Sequence, residues 1–159
     1  APKDFSIGNI AIEEKAKRGA AQPYIAVSSE HQLDEQGTSR LFLAVSYVDE
    51  AAAEIQDAFT LNDYVDRITR QVKANDAGAA GYLEGRLSEA GYISDHDYSD
   101  QYWLIGKTRW FDVKGEFPRL ADSAAPTGIT KVAYSIDLSA CDTWEIDISE
   151  VANSLDGDH

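Results

Sequence analysis

Three features of the 159-residue sequence predict an α/β fold. Residues 4–16 alternate in polarity around Gly8-Asn9, as the two arms of a β-hairpin do. Residues 40–48, RLFLAVSYV, make an apolar run of strand length, and residues 61–72 carry apolar groups at helical spacing.

Each element follows from local chemistry. DFSI and IAIEEKA form the hairpin arms, and a glycine in first place suits Gly8-Asn9 to a tight II′ turn. YIAVSS at 24–29 is rich in β-branched and aromatic residues, which predicts a third strand. Ser29 and Gln32 have the S-x-x-Q spacing of a capping box, so a short helix is expected to begin in SEHQLDEQ. RLFLAVSYV reads as an interior strand. Thr60 and Asp63 are placed to cap a helix whose apolar residues are Leu61, Tyr64, Val65, Ile68 and Val72. GYLEGRLSEAGY at 81–92 predicts a weaker helix, because Gly81 and Gly85 each cost about 1 kcal/mol relative to alanine, and Gly91 would end it. Beyond it QYWLIGKTRWFDV reads as a hairpin, GEFPRL as a turn, TKVAYSIDL and WEIDI as strands, and SEVANSLDGDH as a frayed terminal helix. Without repeats or low-complexity linkers, the expected organisation is one domain over 1–159, with a core at 1–75 and an extension at 76–159.

Composition narrows the function. Hydrophobic residues at 43% and charged ones at 26% are a globular balance. No stretch approaches the ~18 consecutive apolar residues of a membrane span, and no apolar leader opens the chain, so a cytoplasmic location is expected. Cys141 is alone, which excludes an internal disulfide or a cysteine-built zinc site and points to a buried small hydrophobe. A formal charge of −14 argues against a nucleic-acid binder, since phosphate affinity comes from Lys and Arg. The acid is unevenly spread, however: residues 1–40 carry five Lys/Arg and six Asp/Glu, residues 41–159 nine and twenty-two. The excess is a solvated surface or a face for docking a partner.

The hairpin register sorts the charges. With Gly8 and Asn9 in the loop, Ile7 pairs with Ile10, Phe5 with Ile12, and Asp4 faces Glu13. Phe5, Ile7, Ile10 and Ile12 then share one apolar face, while Asp4, Ser6, Ala11, Glu13 and Lys15 share the other. Opposed residues have Cβ atoms about 4.5–5.5 Å apart, where like charges repel. A divalent cation relieves that repulsion, because Mg²⁺ takes one or two carboxylates and completes its shell with water and phosphate oxygens. Lys15, on the same face, can hold a phosphate oxygen or an attacking water. Metal-assisted attack on a phosphodiester is the chemistry these residue types support. The alternative is a surface hairpin whose Lys15 pairs with Glu13 or Glu14 for at most ~1 kcal/mol.

Asp4, then Glu13-Glu14-Lys15 after a short hairpin, with YIAVSSEHQL behind, resembles the PD-(D/E)XK nuclease superfamily. The stretches KDFSIGNIAIEEKAKRG, VSSEHQL and GEFPRLADSAAPTGITKVAYSIDLSA together resemble the bacterial family usually called PD-(D/E)XK motif protein, found near restriction and phage-defence genes. The resemblance spans roughly residues 3 to 140. It implies a restriction-endonuclease-like αβββαβ core with a C-terminal α+β extension. It also implies Mg²⁺, with Mn²⁺ as substitute, bound by Asp4 and Glu13, Glu14 lending its backbone carbonyl and Lys15 assisting the water. Gln32 occupies the place of a polar residue facing such a site; its other reading is a capping-box glutamine bonding its own helix start. Lys15, Lys17 and Arg18 can track a phosphate backbone or form a solvated strand end. The implied partner is DNA, with a protein partner, an N-terminal portion or a second copy of the chain as further candidates, and no membrane. Only Ala1, Pro2 and Lys3 precede Asp4, where the family has a helix and a first strand, so the sequence reads as the C-terminal part of a longer protein.

Other groups carry less. His31, His96 and His159 are too scattered to form a ligand set, and His31 reads as a surface residue near the proposed cleft. SDHDYSD at 94–100 lacks the glycine and terminal glutamate of a calcium loop. Arg109, Trp110 and Arg119 offer cations and a stacking ring but sit in patterns typical of core strands. No phosphate-cradling glycine loop and no serine-nucleophile elbow is present. A non-catalytic module, keeping a nuclease-like sheet and docking a partner through its acidic second half, is the competing reading.

Overall fold

The opening hairpin forms in the expected register. β1 (Phe5–Ile7) and β2 (Ile10–Lys17) pair antiparallel, with Phe5 opposite Ile12 and Ile7 opposite Ile10, in a computed structural model that describes residues 3–96, 98–121 and 125–157. Gly8 has φ 58°, the left-handed backbone that the first loop position of a II′ turn demands.

β2 then pairs in parallel with β4 (Arg40–Ala51), from Ile10 opposite Arg40 to Lys17 opposite Tyr47. Parallel neighbours need a crossover of a dozen or more residues. Here it contains β3 (Tyr24–Val27) and a run of turns over 28–39. β5 (Tyr102–Asp112) and β7 (Glu145–Ile146) complete a five-stranded mixed sheet in the order β1-β2-β4-β5-β7, whereas β3 and β6 (Tyr134–Asp137) make a separate antiparallel pair. The fold is mixed α/β.

Alternation places a core on each face of the large sheet. Ala11, Leu41, Leu43, Val45 and Phe111 meet Ile25, Val27 and Ile136 of the smaller sheet. Ile10 and Phe42 meet Val151 of α3 (Ile148–Asp156), with Ile12 and Trp110 packed alongside. Burying a side chain such as Phe42 contributes about 1.5–3 kcal/mol. Arg40 Nη2 lies 2.9 Å from Asp112 Oδ2 and Arg40 Nη1 donates to Ser154 Oγ, so one guanidinium joins β4, β5 and α3.

Several expectations change. No helix forms in SEHQLDEQ, which is a series of turns. Its short polar side chains bond backbone nearby instead: Ser29 Oγ accepts from the His31 N–H at 3.1 Å and Asp34 Oδ1 from the Gln36 N–H at 3.0 Å. QYWLIGKTRWFDV is one strand rather than a hairpin. Gly106 makes no turn; it is the residue at which β5 runs close to Tyr47, whose carbonyl a Cβ there would meet at 3.4 Å. The strands expected in TKVAYSIDL and WEIDI shorten to β6 and β7, separated by a 3-10 turn over Leu138–Trp144.

The chain divides into two compact units, Ala1–Tyr47 with Gly106–His159, and Val48–Ile105, so the boundaries fall within β4 and β5. The second unit holds α1 (Leu61–Asn75) and α2 (Ala79–Glu89). The expected capping box starts α1: Thr60 Oγ1 accepts from the Asp63 N–H and Asp63 Oδ2 from the Thr60 N–H, each at 3.2 Å. Gly91, with φ 93°, follows α2 as its stop. Phe59 and Trp103 exchange backbone hydrogen bonds at 3.0 and 2.9 Å, and the Tyr64 hydroxyl donates to the Trp103 carbonyl at 2.8 Å. No helix among the described residues is long and apolar enough to cross a membrane.

Candidate active site

Asp4 stands just ahead of β1, exposed, and its Oδ2 accepts the backbone N–H of Glu14 at 2.9 Å. That bond carries the hairpin pairing one step beyond β1 and holds the carboxylate over the middle of β2. Glu13, on β2 between β1 and β4, is 2% exposed. Burial pushes its carboxyl above the ordinary 4.5, the negative charge of Asp4 adds to that, and Lys15 opposes it. Lys15 Nζ lies 3.5 Å from Glu13 Oε1 and donates to Gln32 Oε1 at 2.9 Å. The same Gln32 oxygen accepts the Ser28 N–H at 3.0 Å. Glu13, Lys15 and Gln32 are thus linked by direct contacts, and Asp4 reaches them electrostatically and through the Glu14 amide.

Gln32 caps no helix. Its side-chain oxygen ties the turn after β3 to the lysine of β2.

The register sorts charged and apolar residues onto the two expected faces, but both faces of β2 are covered. Glu13 and Lys15 share the face of Ala11, Leu41, Leu43 and Val45, which is the larger core, while Phe5 and Ile7 are 57% and 52% exposed. Cover by α3 and its neighbours reaches Ile10 and Ile12 of β2 but not the edge strand β1. Glu13 therefore ionises at the margin of an apolar interior, where a lone charge is costly.

Glu14 points the other way, as strand alternation requires. Its carboxyl is raised by burial and hydrogen-bonded by Ser46, whose Oγ is 2.9 Å from Thr108 Oγ1. No group of three His, Cys, Asp or Glu side chains able to hold a metal forms among the described residues. The available donors are oxygens: the carboxylates of Asp4 and Glu13 and main-chain carbonyls. That set suits a hard divalent ion, which needs few protein ligands and keeps water for the rest. A cation there would offset both the burial of Glu13 and its repulsion by Asp4.

A family model described as "Putative PD-(D/E)XK family member, (DUF4420)" matches residues 1–139. The chain belongs to that family. No curated protein and no solved structure matches it. The match to this PD-(D/E)XK family takes in every strand from β1 to β6; β7 and α3 lie beyond it.

Within the family region, sequence reasoning missed Lys3. Its ammonium donates to the carbonyls of His31 and, at 2.8 Å, Gln32, and lies in electrostatic reach of Glu13, Asp34 and Arg119. Burial lowers its pKa. A single lysine beside an aspartate carries no periodic signal, so only the fold reveals that it anchors the 28–34 turn over Glu13. Other candidates resolve as structural. Arg119 Nη1 donates to the Leu33 carbonyl at 3.0 Å and its Nη2 pairs with Glu35 at 3.2 Å. Trp110 packs in the core under α3, and Cys141 is buried with its thiol pushed up to about 11 by burial. His31 is exposed, 3.8 Å from Glu30, while His159 lies outside the described residues.

Proposed function

We propose that this chain is the catalytic module of a metal-dependent DNA endonuclease of bacterial restriction or phage defence, carrying the part of an αβββαβ nuclease core that follows the family's leading helix and first strand. The observation that carries the reading is the buried Glu13 carboxylate, flanked by Asp4 across the hairpin and by the Lys15 ammonium at 3.5 Å. Family membership supports it. Asp4 and Glu13 would hold Mg²⁺ or Mn²⁺, with the Glu14 carbonyl as a further oxygen. Such an ion lowers the pKa of bound water and stabilises charge on the phosphoryl oxygens. Lys15 keeps its ammonium beside the carboxylates and holds a phosphate oxygen or the attacking water. Gln32, by accepting from Lys15 at 2.9 Å, fixes where that ammonium points. The Asp4 bond to the Glu14 amide fixes the other carboxylate.

Nicking of supercoiled plasmid in Mg²⁺ or Mn²⁺ tests this. Asp4→Ala and Glu13→Ala should each abolish it with the fold intact; undiminished nicking by both variants would refute the assignment.

A second reading draws on the acidic balance of residues 41–159, nine Lys/Arg against twenty-two Asp/Glu. In it the chain keeps the sheet and docks a protein partner without cleaving DNA. Such a module has no need of a metal at Asp4 and Glu13, so metal binding separates the two.

A further inference from the structure

The face that carries Glu13 and Lys15 continues to Lys17, opposite Tyr47 in the parallel register, and there a second arrangement appears. The ammonium groups of Lys17 and of Lys107 on β5 both lie 5.6 Å from the centroid of the Tyr47 ring. Arg109, two residues on from Lys107, hydrogen-bonds the Tyr47 side chain and is neutralised by Glu145 at 2.6 Å and Asp142 at 3.1 Å. Lys17 makes no ion pair among the described residues; its ammonium donates to the carbonyls of Arg18 and Ala21. Lys107 is exposed and makes no ion pair among the described residues; Glu145, whose carboxyl it helps to hold below the usual range, is gripped by Arg109.

Two like charges on one ring repel, and cation–π attraction at an exposed site offsets this only weakly. In a chain of net charge −14, two lysines gathered on one aromatic ring are the less expected arrangement. An anion between them removes the repulsion. Strand geometry gives the scale: Glu13 to Lys17 is four residues of β2 at about 3.3 Å each, or about 13 Å. That is about four steps of B-form duplex at about 3.4 Å per nucleotide.

We propose that Lys17, Tyr47 and Lys107 form a backbone-binding track, on which the phosphates of a DNA strand are held a few nucleotides from the bond attacked beside Glu13. The proposal rests on the nuclease reading for its direction but makes its own claim about binding. Lysines contact phosphates as point charges and read no sequence, so the track positions the strand without selecting it.

Fluorescence anisotropy of a labelled DNA duplex, titrated with the whole chain in EDTA at a series of NaCl concentrations, measures the track without cleavage. Each lysine–phosphate contact adds about 0.9 to the slope of log affinity on log salt. Lys17→Gln/Lys107→Gln should lower the slope by about two and Lys107→Gln alone by about one. Lys17→Arg should keep the parent slope. Lys107 is exposed and its ammonium lies over the Tyr47 ring, so its loss should leave the fold intact, which circular dichroism checks. An unchanged slope in Lys107→Gln and in the double variant overturns the track, as does a parent chain that binds no duplex. A parent that binds with the full slope, loses it in the double variant, yet never nicks plasmid supports the track and counts against the nuclease reading alone.

Discussion

Lys15 Nζ lies 2.9 Å from Gln32 Oε1, and that same oxygen receives the Ser28 N–H, so one side chain joins the turn after β3 to the lysine beside Glu13. The ammonium is positioned from a segment remote in sequence. Hydrogen bonds to charged groups contribute about 1.5–3 kcal/mol. If even the lower figure acts in the transition state, Gln32→Ala should slow cleavage about tenfold. Duplex affinity in EDTA should not change, because Gln32 touches the lysine rather than the strand. A slow variant with unaltered affinity marks a positioning residue; a rate equal to the parent's removes Gln32 from the account.

The protonation of Glu13 gives a pH test. Burial and Asp4 raise its folded pKa above the ordinary 4.5, so between the two values the folded state holds more protons than the unfolded one. Its contribution to stability is full below 4.5 and is lost as pH rises through the folded value. Glu13→Gln lacks this loss. Without metal, the stability difference between variant and parent, from urea unfolding at several pH values, should move in the variant's favour as pH climbs above 4.5. A difference independent of pH contradicts the assignment of Glu13 as a strained carboxylate.

The Arg40–Asp112 pair supports the sheet under α3. Asp112 is 6% exposed while the Arg40 side chain is 38% exposed, so the pair is half-buried and worth less than a fully buried one. Lys114, 3.5 Å from the same carboxylate, softens the loss further, so Arg40→Ala should destabilise by about 1–2 kcal/mol. A cost below about 0.5 kcal/mol, the range of ordinary surface substitutions, would show that the pair does not hold α3 in place.

The glycines of α2 offer a change in the opposite direction. Gly85 has ordinary helical backbone, and a Cβ added there meets nothing within 4 Å. Gly85→Ala should stabilise by about 0.5–1 kcal/mol. Thermal denaturation reads this directly, and a loss of stability would mean that the helix end is set by something other than propensity.

What the sequence made legible was local. The II′ turn at Gly8-Asn9 announced the hairpin register, and with it the approach of Asp4 to Glu13. Thr60 and Asp63 announced the start of α1 through a capping box that is fully formed. The family resemblance reached the same residues by another route. Illegible features depended on distant partners. Gln32 has the spacing of a cap, but the competing acceptor geometry offered by Lys15 and Ser28 comes from the sheet. Gly106 looks like a turn until Tyr47 is placed beside it. The alternation of β2 told which residues share a face but not that both faces are covered, so the core behind Glu13 came only from the fold. Lys3 left no pattern at all.

Calorimetric titration of the chain with Mg²⁺ and Mn²⁺ bears most directly on the central claim, that Asp4 and Glu13 converge to hold one divalent ion. Asp4→Asn keeps an oxygen to accept the Glu14 N–H while removing the charge, and Glu13→Gln removes the buried one. The parent should bind one ion and both variants should lose it. A parent that takes up neither ion, or variants that bind as the parent does, would contradict the account.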